Sequence, residues 1–233
     1  KHGFEDETQG TLFYSIARIV RVKKPEILFL ENVRNIVSHN NGKTFETIEK
    51  VISKLGYKFN HDIINSSTLV PQRRIRCYMV CVRKDVEKKH GKFEFPKFEG
   101  LGLPLKNILE NNPEEKYFIS DKLWQGHIRR TENNLKRKTG FTAHLANIEK
   151  PSNTIVARYG KDGKECLIRE ADDRIRMLTA SECRNLFGFP EGFKVPDAKT
   201  TCYKQFGNSV IVPVIHKIAK KIINIYFPVK KNK

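Results

Sequence analysis

Residues 27–33, with the sequence Ile27-Leu28-Phe29-Leu30-Glu31-Asn32-Val33, combine a continuous apolar run with a polar end. Such a run is typical of a strand that is buried on both faces of a parallel sheet. Apolar residues at helical spacing lie on both sides of it, in residues 11–22 and 45–55, and two further strands are predicted at about 57–64 and 75–83. This alternation of helices and strands predicts an α/β fold built on a doubly wound sheet.

The second half of the chain has less regular patterns. The polar segment 84–115 contains three prolines and predicts a domain boundary. Asp162-Gly163 lies between two apolar triplets and predicts a β-hairpin. Thr179 and Glu182 predict a capping box at the start of a helix, and residues 213–227 predict a final amphipathic helix.

The composition favours a polyanionic partner. The 44 lysines and arginines outnumber the 26 acidic residues, so the formal net charge is +18. Nucleic acid is the first candidate, although a basic protein of Lys-rich composition would have the same charge. Because the chain has neither an apolar run of roughly 18 residues nor a signal-peptide pattern, we expect a cytoplasmic protein without a membrane partner. Five cysteines without a C-x-x-C pair argue against a disulfide scaffold and a structural zinc site, so no metal is expected.

Three short motifs carry candidate chemistry. Glu31 follows the apolar run, and the carboxyl ends of strands line ligand crevices in open α/β sheets; a solvated strand end is the alternative. In residues 72–76, Gln-Arg-Arg-Ile-Arg, Arg74 and Arg76 point the same way on an extended chain; a basic surface strand is the alternative. In residues 207–210, Gly-Asn-Ser-Val, a glycine permits close backbone approach; a helix N-terminal cap is the alternative.

In this order, the three motifs resemble those of the DNA cytosine-C5 methyltransferases of bacterial restriction–modification systems. Residues 176–190 resemble the ninth motif of that family, and the resemblance covers nearly the whole chain. It implies a Rossmann-like methyltransferase sheet, S-adenosylmethionine as cofactor, double-stranded DNA as substrate, base flipping and covalent catalysis by a cysteine thiolate. It also implies that 1–96 is the second half of the catalytic domain, that 97–204 is an irregular target-recognition domain, and that 205–233 returns to the catalytic domain.

The resemblance also implies roles for particular residues. Glu31 would hold the amino edge of the flipped cytosine, and Arg76 would hold its ring oxygen. Arg74 would orient Glu31 or contact phosphate, while Asn208 and Ser209 would contact the cofactor. Candidate DNA contacts, each with a plain surface position as the alternative, are Arg129, Arg130, Thr154, Arg158, Tyr159, Lys161 and Asp162. The segment 154–168 is similar to regions that recognise short GC-rich sites.

Three parts of the family pattern are absent from the sequence. It has no Phe-x-Gly-x-Gly cofactor loop, no acidic residue in the expected place for the ribose, and no Pro-Cys-Gln segment with the nucleophile. We therefore expect the chain alone to be inactive and to need an upstream half. Three possibilities follow: a portion of an ordinary methyltransferase, a subunit of a split enzyme, or a non-catalytic DNA-binding remnant. A cognate restriction endonuclease is a possible further partner.

Overall fold

The computed structural model describes residues 9–140, 142–162 and 164–228. The helices are α1 (Gln9–Lys23), α2 (Lys43–Lys54), α3 (Lys84–His90), α4 (Asp121–Lys136), α5 (Tyr159–Asp162), α6 (Ala180–Leu186), α7 (Lys199–Gly207) and α8 (Val212–Tyr226). The strands are β1 (Ile27–Val33), β2 (Tyr57–Asn65), β3 (Ile75–Arg83), β4 (Ile168–Arg169) and β5 (Ile175–Arg176). Short 3-10 turns occupy Arg34–Ile36, Ser66–Thr68, Leu105–Ile108 and Glu115–Tyr117. Within these ranges no helix is long and apolar enough to cross a membrane.

The chain divides into two compact units. Unit 1 is drawn from Lys1–Asn65, Ile75–Lys97 and Lys217–Lys233, and unit 2 from Ser66–Arg74 and Phe98–His216. The Gln-Arg-Arg-Ile-Arg motif is therefore divided, because Arg74 belongs to unit 2 while Arg76 belongs to unit 1.

Unit 1 contains a three-stranded sheet in the order β1-β3-β2. Both pairings are antiparallel: Leu28 lies opposite Cys81 in the first, and Tyr57 opposite Arg83 in the second. The expected strands are thus present, and β3 has the predicted bounds. The expectation of a parallel pairing for β1 is wrong among the described residues, because its neighbour in the sheet is the antiparallel β3.

The strand that is buried on both faces is β3 rather than β1. Residues Cys77 to Val82 of β3 are six consecutive buried positions, and this central strand also has a hydrogen-bonded neighbour at each edge. Strand β1 has only one buried residue, Leu28, and no described strand pairs with its outer edge. The apolar run in residues 27–30 therefore predicted the presence of strand β1 correctly. It did not predict where β1 lies in the sheet.

One face of this sheet packs against α1 and α2. The core contains Val20 of α1 and the α2 residues Phe45, Ile48 and Ile52, together with residues from all three strands. Alternate residues of β3 face this core, as the two-residue period of a strand requires. Tyr57 completes it with a polar contact, since its hydroxyl donates a 2.6 Å hydrogen bond to the carbonyl of Pro25.

The described residues of unit 2 form one small sheet, in which Ile168 lies opposite Arg176 and Arg169 opposite Ile175. This hairpin is not the predicted one. The residues before Gly163 include a short helix, α5, and residues 154–156 are not a strand; Gly163 itself lies outside the described residues. The observed turn is Glu170–Arg174, where Asp173 has a φ of 65° and its N–H donates to the carbonyl of Glu170 at 3.0 Å.

A buried ion pair organises the helix that follows this hairpin. Arg176 and Glu182 are both fully buried, and the guanidinium binds the carboxylate through two hydrogen bonds of 2.7 and 2.9 Å. The same carboxylate accepts from the N–H of Thr179 at 2.8 Å, while the Thr179 hydroxyl accepts from the N–H of Glu182. The predicted capping box is therefore confirmed. Burial acts to lower the pKa of Arg176, but the carboxylates of Glu182 and Glu170 outweigh it and raise that pKa.

We expect Glu182→Gln to destabilise unit 2 by about 3 kcal/mol, because it leaves a buried guanidinium without its bidentate partner. Urea unfolding followed by circular dichroism measures this loss. The matched control is Glu115→Gln, which breaks the exposed ion pair with Arg174 and should leave the urea midpoint unchanged. Equal effects of the two substitutions would contradict the role given to Glu182.

Candidate active site

The predicted catalytic pair Glu31 and Arg76 lies on adjacent strands of unit 1. Arg76 is opposite Val33 and Glu31 is opposite Tyr78, so the two side chains are diagonal neighbours across the β1–β3 pair. Arg76 Nε lies 3.2 Å from Glu31 Oε1, with the side chains 14% and 26% exposed. One Nη of Arg76 also donates to the carbonyl of Ile75 at 2.9 Å. The pair is therefore oriented by the sheet and still accessible at its tip.

The electrostatics of this pair keep the Arg76 guanidinium charged at neutral pH. Burial lowers the pKa of Arg76, and the carboxylate of Glu31 opposes that shift. Because the ordinary pKa of an arginine lies far above neutral pH, its guanidinium keeps its proton. The site thus presents a carboxylate acceptor beside a fixed fork of donors, which is an arrangement suited to a planar polar ligand.

Arg74 has a different environment from Arg76. It is only 4% exposed, and its guanidinium donates to three backbone carbonyls of unit 2: Ile155 at 3.1 Å, Gly207 at 3.0 Å and Ser209 at 2.8 Å. The guanidinium carbon also lies 5.4 Å from the centre of the Phe187 ring. These contacts support a positioning role for Arg74 in place of the expected phosphate contact, because a guanidinium buried among carbonyls does not present itself to DNA.

Gln72 also forms hydrogen bonds to distant segments of unit 2. Its side-chain oxygen accepts a hydrogen bond from the N–H of Ile155 at 3.0 Å, and the amide nitrogen donates to the carbonyl of Leu186 at 3.4 Å. Gln72 and Ile155 are both fully buried. Sequence reasoning gave Gln72 no role of its own. Its only signal was its place in a motif, because an isolated glutamine carries no pattern that marks it as buried.

Position 207 requires a glycine, because its backbone lies very close to the backbone of Val156 and Ala157. A Cβ at this position would lie 2.2 Å from the nitrogen of Ala157 and 2.3 Å from the carbonyl carbon of Val156. The close approach expected of this glycine is therefore present, and within unit 2 it is made with another chain segment. The two predicted cofactor contacts follow it directly: Asn208 is exposed at the end of α7, and Ser209 is partly exposed.

The predicted DNA contacts do not all lie on the surface. Tyr159 is fully buried: its hydroxyl donates to the carbonyl of Cys166 at 2.6 Å and accepts from the N–H of Leu178 at 2.9 Å. The polar group of Tyr159 is therefore already satisfied inside unit 2, and its ring packs against Tyr203, an environment that does not favour the predicted contact with DNA. The partly exposed Thr154 donates to the carbonyl of Arg73 at 2.8 Å.

The other predicted DNA contacts lie on accessible segments. Arg129 and Arg130 are exposed on α4, and Arg158 is exposed just before α5. Arg130 and Lys161 line the same cavity. Asp162 ends α5, but the placement of its side chain lies outside what the structure describes.

None of the five cysteines has the environment of a nucleophile. All are free and buried. Burial raises the pKa of Cys77 and Cys202 to about 11 and that of Cys81 and Cys166 to about 12, and burial also raises the pKa of Cys183. A reactive thiol needs the opposite: partial exposure and a lowered pKa.

The motifs, their order and this geometry can be compared with known proteins. Residues 1–224 match the family model described as C-5 cytosine-specific DNA methylase. The chain belongs to this family. The family resemblance expected from the short motifs is thereby confirmed, and it extends over almost the full sequence.

Several bacterial relatives are similar over nearly the whole chain. The Type II methyltransferase M.SsoII of Shigella sonnei is 44% identical over 226 residues, which are 96% of this chain and 59% of the relative. M1.ScrFI of Lactococcus lactis subsp. cremoris is 41% identical, with 99% of this chain and 60% of the relative covered. M.NlaX of Neisseria lactamica is 42% identical, with 95% and 70% covered. The chain thus spans about 60% of the length of the first two.

Solved structures share the fold. The S. pombe Dnmt2 methyltransferase superposes with a TM-score of 0.69 at 17% identity, covering 91% of this chain and 71% of that one. The Spodoptera frugiperda DNMT2 mutant superposes with a TM-score of 0.71 at 18% identity, with the same coverage. The expected α/β, Rossmann-like methyltransferase fold is confirmed by these likenesses.

We expect Gly207→Ala to destabilise the chain by at least about 3 kcal/mol, because the new methyl group would overlap the backbone of residues 156 and 157. Chemical denaturation measures the change. Gly192→Ala is the matched control, since a Cβ there would meet nothing within 4 Å. If Gly207→Ala unfolded at the same denaturant concentration as Gly192→Ala, the close contact would be refuted.

The thiols should react slowly in the folded chain. A pH of 8 lies well below the pKa of all five thiols, so they stay protonated, and burial shields them from solvent. We therefore expect iodoacetamide to label them only after addition of denaturant. Mass spectrometry of the labelled chain gives the number of labelled cysteines. Fast labelling of any one cysteine in the native state would show that its thiol is activated.

Proposed function

We propose that this chain is the base-holding and DNA-binding portion of an enzyme that methylates carbon 5 of cytosine in double-stranded DNA. The observation that carries the proposal is the pairing of Glu31 with Arg76 at 3.2 Å on adjacent strands. Membership of the family supports it, and so does the net charge of +18.

The two side chains match the polar edge of a cytosine. The Glu31 carboxylate can accept a hydrogen bond from the exocyclic amino group and share a proton with ring nitrogen 3. The Arg76 guanidinium can donate to the ring oxygen and stabilise the charge that develops there during addition. Both interactions withdraw electron density from the ring, which makes carbon 6 easier for a thiolate to attack.

Methylation then requires four steps at the cytosine ring. A thiolate adds to carbon 6, carbon 5 takes a methyl group, a base removes the proton from carbon 5, and the thiolate leaves again. S-adenosylmethionine would supply the methyl group. Asn208 and Ser209 offer an amide and a hydroxyl at its edge, and both carry exposed surface, so they fit this role.

The thiolate must come from a segment other than the five cysteines of this sequence, because all five are buried with raised pKa values. We propose that it is carried by additional residues of the same polypeptide or by a second subunit. The surface of unit 1 supports this: the outer edge of β1 has no described partner strand, and α1 exposes Leu12, Ile19 and Val22. Such surfaces are normally covered.

A non-catalytic DNA-binding protein is the second candidate. It is favoured by the same absence of an activated thiol among these cysteines, together with the strong positive charge. It does not account for the Glu31–Arg76 pair, which a protein that only bound the DNA backbone would not need. Relatives that are named Type II methyltransferases favour an enzyme that acts on a short site, for which we propose GC-rich DNA and a restriction endonuclease as a possible companion.

The proposal is tested by mixing this chain with a polypeptide that carries the cofactor loop and the Pro-Cys-Gln motif. We expect transfer of a labelled methyl group from S-adenosylmethionine to duplex DNA in the mixture only. Glu31→Ala and Arg76→Ala should each lower the rate by about 10²- to 10³-fold, because each removes a group that stabilises developing charge.

Glu26→Gln is the matched control for those two substitutions. Glu26 lies near Arg83 at the far end of the same strand pair, at 3.8 Å, and its loss should leave the rate unchanged. Full activity of Glu31→Ala would refute the assigned role of the pair. A mixture that binds DNA but never transfers a methyl group would favour the non-catalytic candidate.

A further inference from the structure

Tyr159 is a buried polar residue of unit 2 that the proposed chemistry does not use. Its hydroxyl donates a 2.6 Å hydrogen bond to the carbonyl of Cys166 and accepts a 2.9 Å hydrogen bond from the N–H of Leu178. All three residues are fully buried. Burial holds the pKa of Tyr159 well above its ordinary value, so the hydroxyl keeps its proton and can donate and accept at the same time.

The Leu178 partner of this hydroxyl belongs to a fixed part of unit 2. Leu178 lies two residues after Arg176, whose buried guanidinium binds the buried carboxylate of Glu182. The carbonyl of Leu178 accepts a further hydrogen bond from the hydroxyl of Tyr203. Both polar groups of the Leu178 backbone are therefore bound by tyrosine hydroxyls, and this backbone is a rigid point of attachment.

Helix α7 packs against the ring of Tyr159 and against the residue that follows it. The Tyr159 ring meets the Tyr203 ring edge-on, with the ring centres 4.9 Å apart. A Cβ at Gly160 would lie 3.2 Å from the Tyr203 ring and 3.3 Å from the Cα of Thr200. The glycine therefore lets residues 159–160 approach α7 more closely than a residue with a side chain would allow.

The backbone that precedes Arg158 is held as well. A Cβ at Gly207 would come within 2.2 Å of the Ala157 nitrogen, so these two backbones are in direct contact. Two residues earlier, the buried Ile155 accepts a 3.1 Å hydrogen bond from the guanidinium of Arg74. Arg158 therefore has a fixed backbone on both sides, while its own side chain is exposed.

A fixed backbone matters differently for the two kinds of contact that an exposed arginine can make with DNA. A contact with phosphate positions the protein and carries no sequence information directly. A contact with a base edge has a stricter geometry, because the planar guanidinium must align two donors with two acceptors of one base. Such a geometry depends on packing and hydrogen bonds in the supporting residues. The anchoring around Arg158 therefore favours a base contact.

We propose that Tyr159 is a positioning residue for sequence recognition, whose hydroxyl fixes the backbone that directs Arg158 to a base edge of the DNA substrate. The inference rests on the proposed function for the identity of that substrate. A guanine fits the chemistry, since its O6 and N7 atoms accept both donors of a guanidinium. Tyr159 acts through Arg158 and does not itself contact DNA, as its burial requires.

The first test measures the sequence preference of the full chain. The probe is a pool of duplex oligonucleotides with a randomised central segment, and the bound duplexes are sequenced. We expect Tyr159→Phe to weaken the preference at the contacted base pair by about fivefold or more, the discrimination typical of one bidentate base contact. Overall affinity for the pool should stay close to that of the unaltered chain, because the phosphate contacts remain.

Tyr57→Phe is the matched control for this substitution. It removes a similarly buried hydroxyl, which donates a 2.6 Å hydrogen bond to the carbonyl of Pro25 in unit 1, and it should leave the preference unchanged. An unchanged preference in Tyr159→Phe, or an equal loss in Tyr57→Phe, would overturn the proposal. A pool from which the unaltered chain enriches no sequence would also overturn it.

The second test separates positioning from a general structural effect. Arg158→Ala changes an exposed side chain and should lose the same preference. In that background Tyr159→Phe should cause no further loss, because a positioning residue has no effect once the side chain that it positions is absent. Additive losses would show that Tyr159 does not act through Arg158. If Tyr159→Phe failed to fold, full preference in Arg158→Ala would still overturn the proposal.

These measurements use binding and are independent of methyl transfer. If Tyr159→Phe loses sequence preference while the complemented mixture never methylates DNA, the positioning role stands and the enzymatic proposal fails. If the mixture methylates one short site and Tyr159→Phe methylates it with unchanged selectivity, the enzymatic proposal stands and the positioning role fails.

Discussion

The guanidinium of Arg74 connects the Gln-Arg-Arg-Ile-Arg motif to two distant segments of unit 2. It is almost fully buried, and it donates to carbonyls that belong to residues 155, 207 and 209. Backbone carbonyls that are buried without a donor destabilise a fold, so one side chain satisfies three carbonyl groups from two distant segments. The contact between Gly207 and residues 156–157 is possible only because these segments are held so close together.

The Gln-Arg-Arg-Ile-Arg motif therefore serves two purposes within five residues. Gln72 and Arg74 hold unit 2 together, whereas Arg76 belongs to β3 and pairs with Glu31 in unit 1. A short motif with three arginines does not itself indicate which of them is structural. The difference arises from burial: Arg74 lies among carbonyls, and Arg76 lies at the accessible end of a strand pair beside a carboxylate.

Local patterns predicted local structure well in this protein. The bounds of β3 and the capping box of Thr179 and Glu182 were predictable, since both depend on residues that are neighbours in sequence. Helix α4 was not predicted, because only His127 among its 16 residues is buried and it shows no apolar stripe. The hairpin expected at Asp162 was also wrong, since turn residues alone do not decide which strands pair. The burial of Tyr159 was not predictable from the sequence, because its neighbours Arg158 and Lys161 are exposed.

By itself, the sequence determined the family, the α/β class and the residue types available for chemistry, because these depend on short motifs and on the periodicity of apolar residues. Only the tertiary structure decided that Glu31 meets Arg76 at 3.2 Å and that Arg74 is buried among the carbonyls of residues 155, 207 and 209. Each of these facts joins residues far apart in the chain. Their proximity depends on packing and strand register, which no local pattern encodes.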